Sequence, residues 1–156
     1  MKIAIYDMDG TIVCSLHRYR TITDNHGKER IDLAYWQENA HKAMNDSLLP
    51  LAKQYKEDLA NKNCYTIIAT ARVLREPDQQ YIADVLGKPD YIISRKEGDN
   101  QSGSTLKVKG LQRLFNLKQF KTAKAVFYED NIAYLKAVTD SFPNVTGVFV
   151  PSLQGH

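Results

Sequence analysis

Apolar residues along this chain gather into short continuous runs, which longer polar or amphipathic stretches separate. Four runs begin at Ile3, Tyr65, Ala125 and Gly147 and read IAIY, YTIIAT, AVFY and GVFV; a weaker fifth, YII, begins at Tyr91. Continuous rather than alternating apolarity is typical of strands that are covered on both faces, as strands of parallel sheets are. The pattern therefore predicts a parallel sheet of about five strands.

Helical patterns lie between the predicted strands. One begins at Ser47, the predicted N-cap, and carries Pro50 in its first turn. A second is predicted from Pro77 to Gly87, since proline suits a helix start and glycine a helix end. A third follows Asn131. Strands that alternate with helices predict an α/β fold.

The stretch from about residue 12 to residue 46 interrupts this alternation. It shows no convincing strand, only a polar start and a helical pattern around DLAYWQENAHKAM. We interpret it as a small helical cap, inserted after the first strand of a single domain that spans residues 1–156. Such insertions often act as lids or select substrates. The alternative is a surface excursion with no part in catalysis.

Composition narrows the class of protein. The chain has 156 residues, of which 43% are hydrophobic and 25% are charged, as in globular domains. Its N-terminal apolar run is too short for a signal peptide, and no run approaches the roughly 20 apolar residues of a membrane span. The only two cysteines, Cys14 and Cys64, lie outside any spaced cluster. We therefore expect a reduced cytoplasmic protein without a membrane partner, although the two cysteines could also form one bridge.

Positive charge is concentrated in one part of the chain, whose net charge is +3. Between Gln101 and Tyr128 there are six basic residues and no acidic residue. A basic face attracts phosphate-rich partners such as nucleic acid. A solvated helix face that carries one catalytic lysine would give the same pattern, so both interpretations stay open.

Polar residues with catalytic potential follow three of the predicted strands. They are Asp7 and Asp9 after the first strand, Thr70 and Arg72 after the second, and Glu129 and Asp130 after the run AVFY. Ligands of open α/β sheets bind beyond the carboxyl ends of the strands, so these groups should converge. Carboxylates that meet there repel each other unless a cation lies between them, and hard oxygen ligands suit Mg²⁺. The pattern predicts a Mg²⁺ site beside a phosphate group.

Lys107 is the strongest candidate for a catalytic cation. It precedes Leu111 by four residues in a predicted helix and shares its apolar face, whereas Lys109 falls on the opposite face. An inward lysine near a helix N-terminus loses hydration and opposes the helix dipole, so an anion must offset it. We expect the carboxylates and a bound phosphoryl group to do so. The alternative is that Lys107 reaches solvent from the helix end.

Four motifs in this order resemble those of the haloacid dehalogenase (HAD) superfamily of phosphohydrolases. They are DMDGT at Asp7, the Thr70 of IIATAR, the Lys107 of STLKVKGL and YEDN at Tyr128, and they cover nearly the whole chain. The resemblance implies a Rossmann-like three-layer α/β/α fold, dependence on Mg²⁺ and an aspartyl-phosphate intermediate.

The resemblance also implies catalytic roles. Asp7 would attack phosphorus, and Asp9 would act as general acid and then as general base. Superfamily members that dehalogenate lack the second aspartate, so Asp9 favours phosphate chemistry. Thr70 and neighbouring backbone N–H groups, such as that of Ala71, would bind the phosphoryl oxygens, while Lys107 neutralises their charge.

The metal ligands implied by the resemblance are the carboxylates of Asp7 and Asp130 and the backbone carbonyl of Asp9. Glu129 would reach the metal through water or orient the lysine. Because many relatives have Asp-Asp here rather than Glu-Asp, the direct ligand could be either residue, and the shorter side chain favours Asp130. Gly10 would let the chain turn sharply under the phosphate.

Within the superfamily, the motifs are particularly similar to those of the phosphatase domain of bacteriophage polynucleotide kinase and of HAD domains of RNA-repair proteins. In the former, arginines match Arg18 and Arg72, and either could bind a substrate phosphate; the alternative is a structural ion pair. The carboxylate that this enzyme carries four residues before its lysine is Gly103 here, which counts against a 3′-end phosphatase; Asp99 in the preceding loop is the alternative carboxylate.

These observations predict an enzyme that hydrolyses a phosphomonoester of a nucleotide or of a nucleic-acid end. Two alternatives stay open. One is a small-metabolite phosphatase of the same superfamily, which should not bind oligonucleotides. The other is a non-catalytic nucleic-acid-binding protein on the same fold, which should lack an essential carboxylate. The oligomeric state is left open.

Overall fold

A computed structural model describes residues 1–18 and 20–153 of the chain. Its strands are β1 (Lys2–Tyr6), β2 (Val13–Cys14), β3 (Thr21–Thr23), β4 (Glu29–Ile31), β5 (Ser47–Leu48), β6 (Cys64–Val73), β7 (Tyr91–Arg95), β8 (Ala125–Glu129) and β9 (Val145–Phe149). Its α-helices are α1 (Leu33–Glu38), α2 (Ala52–Ala60), α3 (Glu76–Tyr81), α4 (Gly103–Phe115) and α5 (Ile132–Ser141). Short 3₁₀ turns cover Leu16–Arg18 and Ala40–Asn45, and a π-helical turn covers Ile82–Leu86.

All the predicted strands join one sheet. In the described part of the chain the sheet has five strands in the order β7-β6-β1-β8-β9, and every neighbouring pair is parallel. The strand β1 lies at the centre, where Tyr6 pairs with Ile68 on one side and with Tyr128 on the other. The predicted parallel sheet is therefore confirmed, and the carboxyl ends of β6, β1 and β8 lie side by side.

Helices cover both faces of the sheet. The central strand contributes to two hydrophobic cores, because Ile3 and Ile5 face one side and Ala4 and Tyr6 face the other. The helices α4 and α5 pack on the first side, and α2 and α3 pack on the second. This arrangement confirms the predicted three-layer α/β/α architecture.

Helix boundaries agree with the sequence in part. The predicted helix start at Ser47 is wrong: Ser47 lies in β5, paired with Cys14, and α2 begins only at Ala52, after Pro50. The start near Pro77 is confirmed, because this residue lies in the first turn of α3. The helical segment continues as a π turn and ends at Gly87, whose φ of 94° suits glycine.

The insertion contains strands that the sequence did not predict. The strands β3 and β4 form an antiparallel hairpin, and β2 pairs with β5, so the predicted absence of strands is wrong. In the hairpin turn, Asp24 Oδ1 accepts hydrogen bonds from the backbone N–H groups of His26 and Lys28, and Gly27 has a φ of 74°. Most hairpin side chains are exposed, so no apolar alternation marked them. Tyr19 of the insertion and residues 154–156 of the predicted domain lie outside the described residues.

Two further expectations concern the thiols and the membrane. Cys14 is half-buried and Cys64 is buried, and both are free cysteines, so the alternative of one bridge is wrong. None of the helices formed by the described residues is long and apolar enough to cross a membrane.

Candidate active site

The carboxyl ends of three adjacent strands bring the predicted motif residues together. Asp7 directly follows β1, and its backbone N–H donates to the carbonyl of Tyr128 in β8 at 3.0 Å. Glu129 ends β8, and Asp130 follows it. Thr70 lies within β6 rather than after it, because that strand continues to Val73. Parallel pairing therefore gathers residues that are far apart in the sequence at one edge of the sheet.

Three buried carboxylates form an acidic cluster there. Asp7, Glu129 and Asp130 each offer an oxygen, and these oxygens lie within 4.8 Å of one another. Thr11 Oγ1 donates to Asp7 Oδ2 at 3.0 Å and lies 3.5 Å from Asp130 Oδ1. Asp130 Oδ2 is buried and has no hydrogen bond of good geometry among the described residues, although the hydroxyl of Ser152 faces the carboxylate and opposes the rise of its pKa. Hard oxygen donors with one unsatisfied acceptor fit a divalent cation such as Mg²⁺. We refer to these three residues and Lys107 as the carboxylate–lysine cluster.

The pKa values in this cluster show that its negative charge is not fully balanced. Burial, followed by the charge of Asp7, raises the pKa of Asp130 to about 7. Burial also raises the pKa of Glu129 well above its ordinary value; Asp7 adds to this shift, while Lys107 opposes it. A cation bound between these groups would favour their ionised forms.

Lys107 is the buried cation of the cluster. Its side chain is 0% exposed, and Nζ donates to Asp7 Oδ1 at 2.7 Å and to Glu129 Oε2 at 2.5 Å. Burial alone would lower the pKa of Lys107, but the two carboxylates outweigh burial and raise it. The inward orientation predicted from helical spacing is therefore confirmed, and the alternative that Lys107 reaches solvent is wrong. Lys109 is exposed, as predicted.

Gly103 and Tyr134 shape the wall of the site beside Lys107. The helix α4 begins after Ser102, whose side chain accepts a hydrogen bond from the backbone N–H of Thr105. A Cβ atom at Gly103 would lie 2.4 Å from the ring of Tyr134, so no side chain fits there. The ring of Tyr134 has its centroid 5.0 Å from Lys107 Nζ. An aromatic ring thus occupies the space that a side chain at Gly103 would need.

Gly10 occupies a turn that other residues would strain. Its φ is 79°, in the left-handed region, and its N–H donates to the carbonyl of Val13 at 2.8 Å. A Cβ atom at this position would lie 2.1 Å from Asp130 Oδ2. Both the conformation and the close approach of the carboxylate therefore require glycine, in line with the predicted sharp turn.

Asp9 points to different partners from those of Asp7. Its carboxylate accepts hydrogen bonds from Arg72 Nε at 2.9 Å, from Arg72 Nη2 at 2.5 Å and from Ser15 Oγ at 2.6 Å. Burial would raise the pKa of Asp9, but the charge and hydrogen bonds of Arg72 outweigh burial and lower it. The side chain of Asp9 is not part of the acidic cluster. Its predicted roles as acid, base and backbone metal ligand stay predictions.

The two predicted phosphate-binding arginines lie in a second group of buried charges, the arginine–aspartate network. Its members are Asp9, Arg18, Asp46, Arg72 and Asp78. Arg18, which is fully buried, donates to Asp46 at 2.9 and 3.0 Å and to Asp78 at 3.2 Å. Arg72 donates to the same two aspartates at 3.1 and 2.6 Å. These are ion pairs, and the predicted contact with substrate phosphate stays a prediction.

Sequence reasoning missed Asp46 and Asp78. Each is a single aspartate without a motif, one at the end of the insertion and one in the first turn of α3. Asp46 and Asp78 are 28 and 60 residues from Arg18 in the sequence, and they come into contact with it only in the folded protein. The sequence offered one indirect signal, the two arginines Arg18 and Arg72. If such arginines are buried, anions must lie near them.

A cleft of about 560 Å³ lies next to both groups of charges, between the insertion and the core. We name it the cap cleft. On the insertion side it is lined by Leu33 and Trp36, and on the core side by Arg72, Gln101 and Tyr134, among others. Ala71 also lines it, beside Thr70. The predicted substrate-binding position Ala71 is therefore at the boundary between the cleft and the catalytic residues.

Solved structures with a similar fold include a haloacid dehalogenase-like family hydrolase from Streptococcus pneumoniae. This structure has a TM-score of 0.65 and 11% sequence identity, and the match covers 97% of this chain and 87% of that protein. Two structures of the Pnkp1/Rnl/Hen1 RNA repair complex also match, with TM-scores of 0.61 and 0.63 and identities of 19% and 20%. They cover 99% and 96% of this chain, and 47% and 43% of those chains. The HAD-like fold is confirmed, as is the likeness to RNA-repair proteins.

Sequence comparison gives the family. A curated protein, the 5′-deoxynucleotidase of Escherichia phage T5, is 34% identical over 84 residues. The match covers 52% of this chain but only about a third (34%) of the relative's length. A family model described as bacteriophage T5 5′-deoxynucleotidase matches residues 1–148, nearly the whole chain. The chain therefore belongs to the bacteriophage T5 5′-deoxynucleotidase family, and its fold is HAD-like.

Proposed function

We propose that this protein is a Mg²⁺-dependent phosphatase that hydrolyses the phosphomonoester of a nucleotide through an aspartyl-phosphate intermediate. The observation that carries the proposal is the buried lysine, Lys107, which is bonded to Asp7 and Glu129 in a cluster with too much negative charge. The nucleotide as substrate is supported by the family match and by the name of the phage T5 relative. A cytoplasmic location stays a prediction, to which the two free thiols add support.

Asp7 is the proposed nucleophile. Lys107 Nζ and Thr11 Oγ1 each hold one of its carboxylate oxygens, so the orientation of the side chain is fixed before substrate binds. A carboxylate oxygen of Asp7 attacks phosphorus, a P–O bond forms, and the bond from phosphorus to the nucleoside oxygen breaks. Water then attacks the acyl phosphate, which releases inorganic phosphate and restores Asp7.

Asp9 is the proposed acid and base. Arg72 and Ser15 fix its carboxylate two residues beyond the nucleophile, but Arg72 also lowers its pKa. The ionised form suits the second step, in which Asp9 takes a proton from the attacking water. In the first step Asp9 must donate a proton to the nucleoside oxygen. The negative charge of an incoming phosphate favours this protonated form because it raises the pKa of a neighbouring carboxyl group.

The remaining site residues would stabilise charge on the phosphoryl group. Lys107 neutralises its oxygens, and Thr70 can donate its hydroxyl hydrogen, since its oxygen already accepts from the backbone N–H of Arg72 at 3.1 Å. The carboxylates of Asp7 and Asp130, with the backbone carbonyl of Asp9, would hold Mg²⁺. When bound, the metal supplies positive charge to the phosphoryl oxygens. Glu129 would position Lys107.

Phosphate release tests this proposal. Wild-type protein should release phosphate from a deoxynucleoside 5′-monophosphate with Mg²⁺ and lose this activity when the metal is chelated. Asp7→Asn should be inactive in both conditions while its circular dichroism spectrum stays native. Equal inertness of wild type and variant toward nucleoside monophosphates in Mg²⁺ would overturn the proposal.

A further inference from the structure

The cap cleft adjoins the catalytic residues through two of its lining side chains. Arg72 lines the cleft and donates two hydrogen bonds to Asp9, the proposed acid. Tyr134 also lines it, and the centroid of its ring is 5.0 Å from Lys107 Nζ. A phosphate bonded to Asp7 would therefore have the cleft beside it. The cleft is connected to the chemistry rather than remote from it.

The position of the proposed acid determines on which side the leaving group lies. Asp9 must reach the oxygen that departs from phosphorus, so the group attached to this oxygen lies on the Asp9 side of the phosphate. Arg72, which holds Asp9, also lines the cap cleft. The part of the substrate that is not phosphate would then extend toward the cleft. Its volume of about 560 Å³ is within the roughly 300–1,000 Å³ of small-molecule sites.

The insertion supplies the cleft with a flat aromatic surface. Trp36 in α1 is half-buried and is the single tryptophan of the chain. The guanidinium groups of Arg18 and Arg72 lie 4.2 and 5.3 Å from its ring centroid. Both arginines donate to the same oxygen of Asp46, and Trp36 also lines the cap cleft. Planar rings stack on such a surface.

Gln101, which lines the core side of the cleft, carries a buried acceptor without a partner among the described residues. Gln101 Nε2 donates to Asp99 Oδ2 at 2.6 Å, which orients the amide group. The other amide atom, Gln101 Oε1, is buried and has no hydrogen-bond partner among the described residues. A buried acceptor without a donor is costly, so a ligand that brings an N–H group would be favoured. A nucleobase has both features that the cleft selects, a flat ring and N–H donors at its edge.

We propose that the cap cleft binds the nucleoside part of a nucleoside monophosphate, whose base stacks on Trp36 with an N–H edge near Gln101. This inference rests on the proposed function, because the phosphate must lie at Asp7. It assigns the insertion a specific task, since Trp36 and its neighbours Leu33 and Gln37 line the cleft from the insertion side. The preferred substrate is then a mononucleotide rather than a base-free sugar phosphate.

A binding experiment tests the inference without turnover. In Asp7→Asn protein with Mg²⁺, all tryptophan emission comes from Trp36. A deoxynucleoside 5′-monophosphate should quench this emission saturably after correction for its own absorbance, while deoxyribose 5-phosphate should compete for the site without quenching. Equal responses to the two compounds, or none to the nucleotide in a protein whose wild type hydrolyses it, would overturn the inference.

A kinetic experiment separates base recognition from a structural role of Trp36. Trp36→Leu should lower kcat/KM for the nucleotide about tenfold, mainly through KM, because stacking of a base on an aromatic side chain contributes about 1–3 kcal/mol. Its kcat/KM for deoxyribose 5-phosphate should stay within about twofold of wild type, and Trp36→Phe should restore most of the nucleotide activity.

Tyr35 provides the matched control. It lies beside Trp36 in α1 and has a similar cation contact, with Arg20 4.4 Å from its ring centroid, but it does not line the cap cleft. Tyr35→Leu should therefore leave both substrates unaffected. If Trp36→Leu lowers kcat/KM equally for both substrates, Trp36 acts only by supporting the arginine–aspartate network, and the inference is wrong. Inactivity of wild type on both substrates would instead refute the proposed function.

Discussion

Two groups of buried charges lie at the same edge of the sheet, and they differ in how well their charges are balanced. The carboxylate–lysine cluster has three carboxylates and one cation, and burial raises the pKa of Asp130 to about 7. The arginine–aspartate network has three carboxylates and two arginines. Burial opposes the charge of Arg72, yet the surrounding carboxylates raise its pKa, and Arg72 in turn lowers the pKa of Asp9.

This difference indicates that the network stabilises the fold, whereas the cluster is suited to bind a ligand. The network satisfies its aspartates with paired guanidinium hydrogen bonds and joins the insertion, through Arg18 and Asp46, to the core, through Arg72 and Asp78. The cluster retains excess negative charge around Asp130, whereas the buried atom of the network that has no hydrogen-bond partner among the described residues, Arg18 Nη1, belongs to a cation. The excess negative charge of the cluster is the kind that a bound divalent cation can balance.

The largest expected effect comes from removing the cation of the cluster. Lys107→Met should lower kcat at least about 10³-fold, because it removes the side chain that orients Asp7 and neutralises the phosphoryl group. Lys109→Met, two residues away on the exposed face of α4, is the matched control and should keep near wild-type activity. Similar activity of the two variants in steady-state assays would remove Lys107 from the mechanism.

Breaking the network should affect stability most. Arg72→Met removes the ion pairs that Arg72 makes with Asp9, Asp46 and Asp78. Buried carboxylates that lose their cation in this way lower the free energy of unfolding by about 3–5 kcal/mol. Urea denaturation measures this change. The control is Arg30→Met, whose exposed pair with Asp24 is screened by solvent, so its loss should change the free energy of unfolding far less. A cost below that of the control would show that the network does not hold the insertion to the core.

A smaller effect should follow from filling the gap beside Lys107. Gly103→Ala places a Cβ atom 2.4 Å from the Tyr134 ring, so the ring or the helix must move, at a cost of about 1–3 kcal/mol. Thermal unfolding measures the loss, and Ser104→Ala, one residue later, is the control. If Gly103→Ala is as stable as wild type, the close approach of the Tyr134 ring does not explain why this position is a glycine.

The smallest expected effect is a gain in stability. Since folding raises the pKa of Asp130 from 3.8 to about 7, the folded state binds more protons than the unfolded state between these two values. Metal-free protein should therefore become more stable as the pH falls from about 8 to about 6. Asp130→Asn should raise the metal-free Tm by a few degrees at the higher pH and show a weaker pH dependence. Asp140→Asn, on the surface, should leave this dependence unchanged.

Sequence patterns were sufficient where the interactions are local or repetitive. The runs from Ile3 and Tyr65 predicted strands because both faces of a parallel strand are buried, and the four-residue spacing to Leu111 predicted the inward side of Lys107. The motif residues at strand ends could be placed together because parallel strands share one edge.

The rest depended on contacts between distant residues. Ser47 looks like a helix cap, yet its pairing with Cys14 places it in a strand. The exposed hairpin from Thr21 to Ile31 has no apolar face to mark it. The partner of Asp9 proved to be Arg72, 63 residues away, and no spacing rule connects them. Such tertiary contacts override local preferences.

The most direct test of the account is the effect of Mg²⁺ on thermal unfolding of wild type and Asp130→Asn at one pH. At about ten times its Kd, Mg²⁺ bound to the folded protein should add about 1.4 kcal/mol to the free energy of unfolding, or a few degrees in Tm. The account predicts this shift in wild type and its loss in the variant. An equal shift in both proteins, or none in either, would contradict the claim that the buried carboxylates form a divalent-cation site.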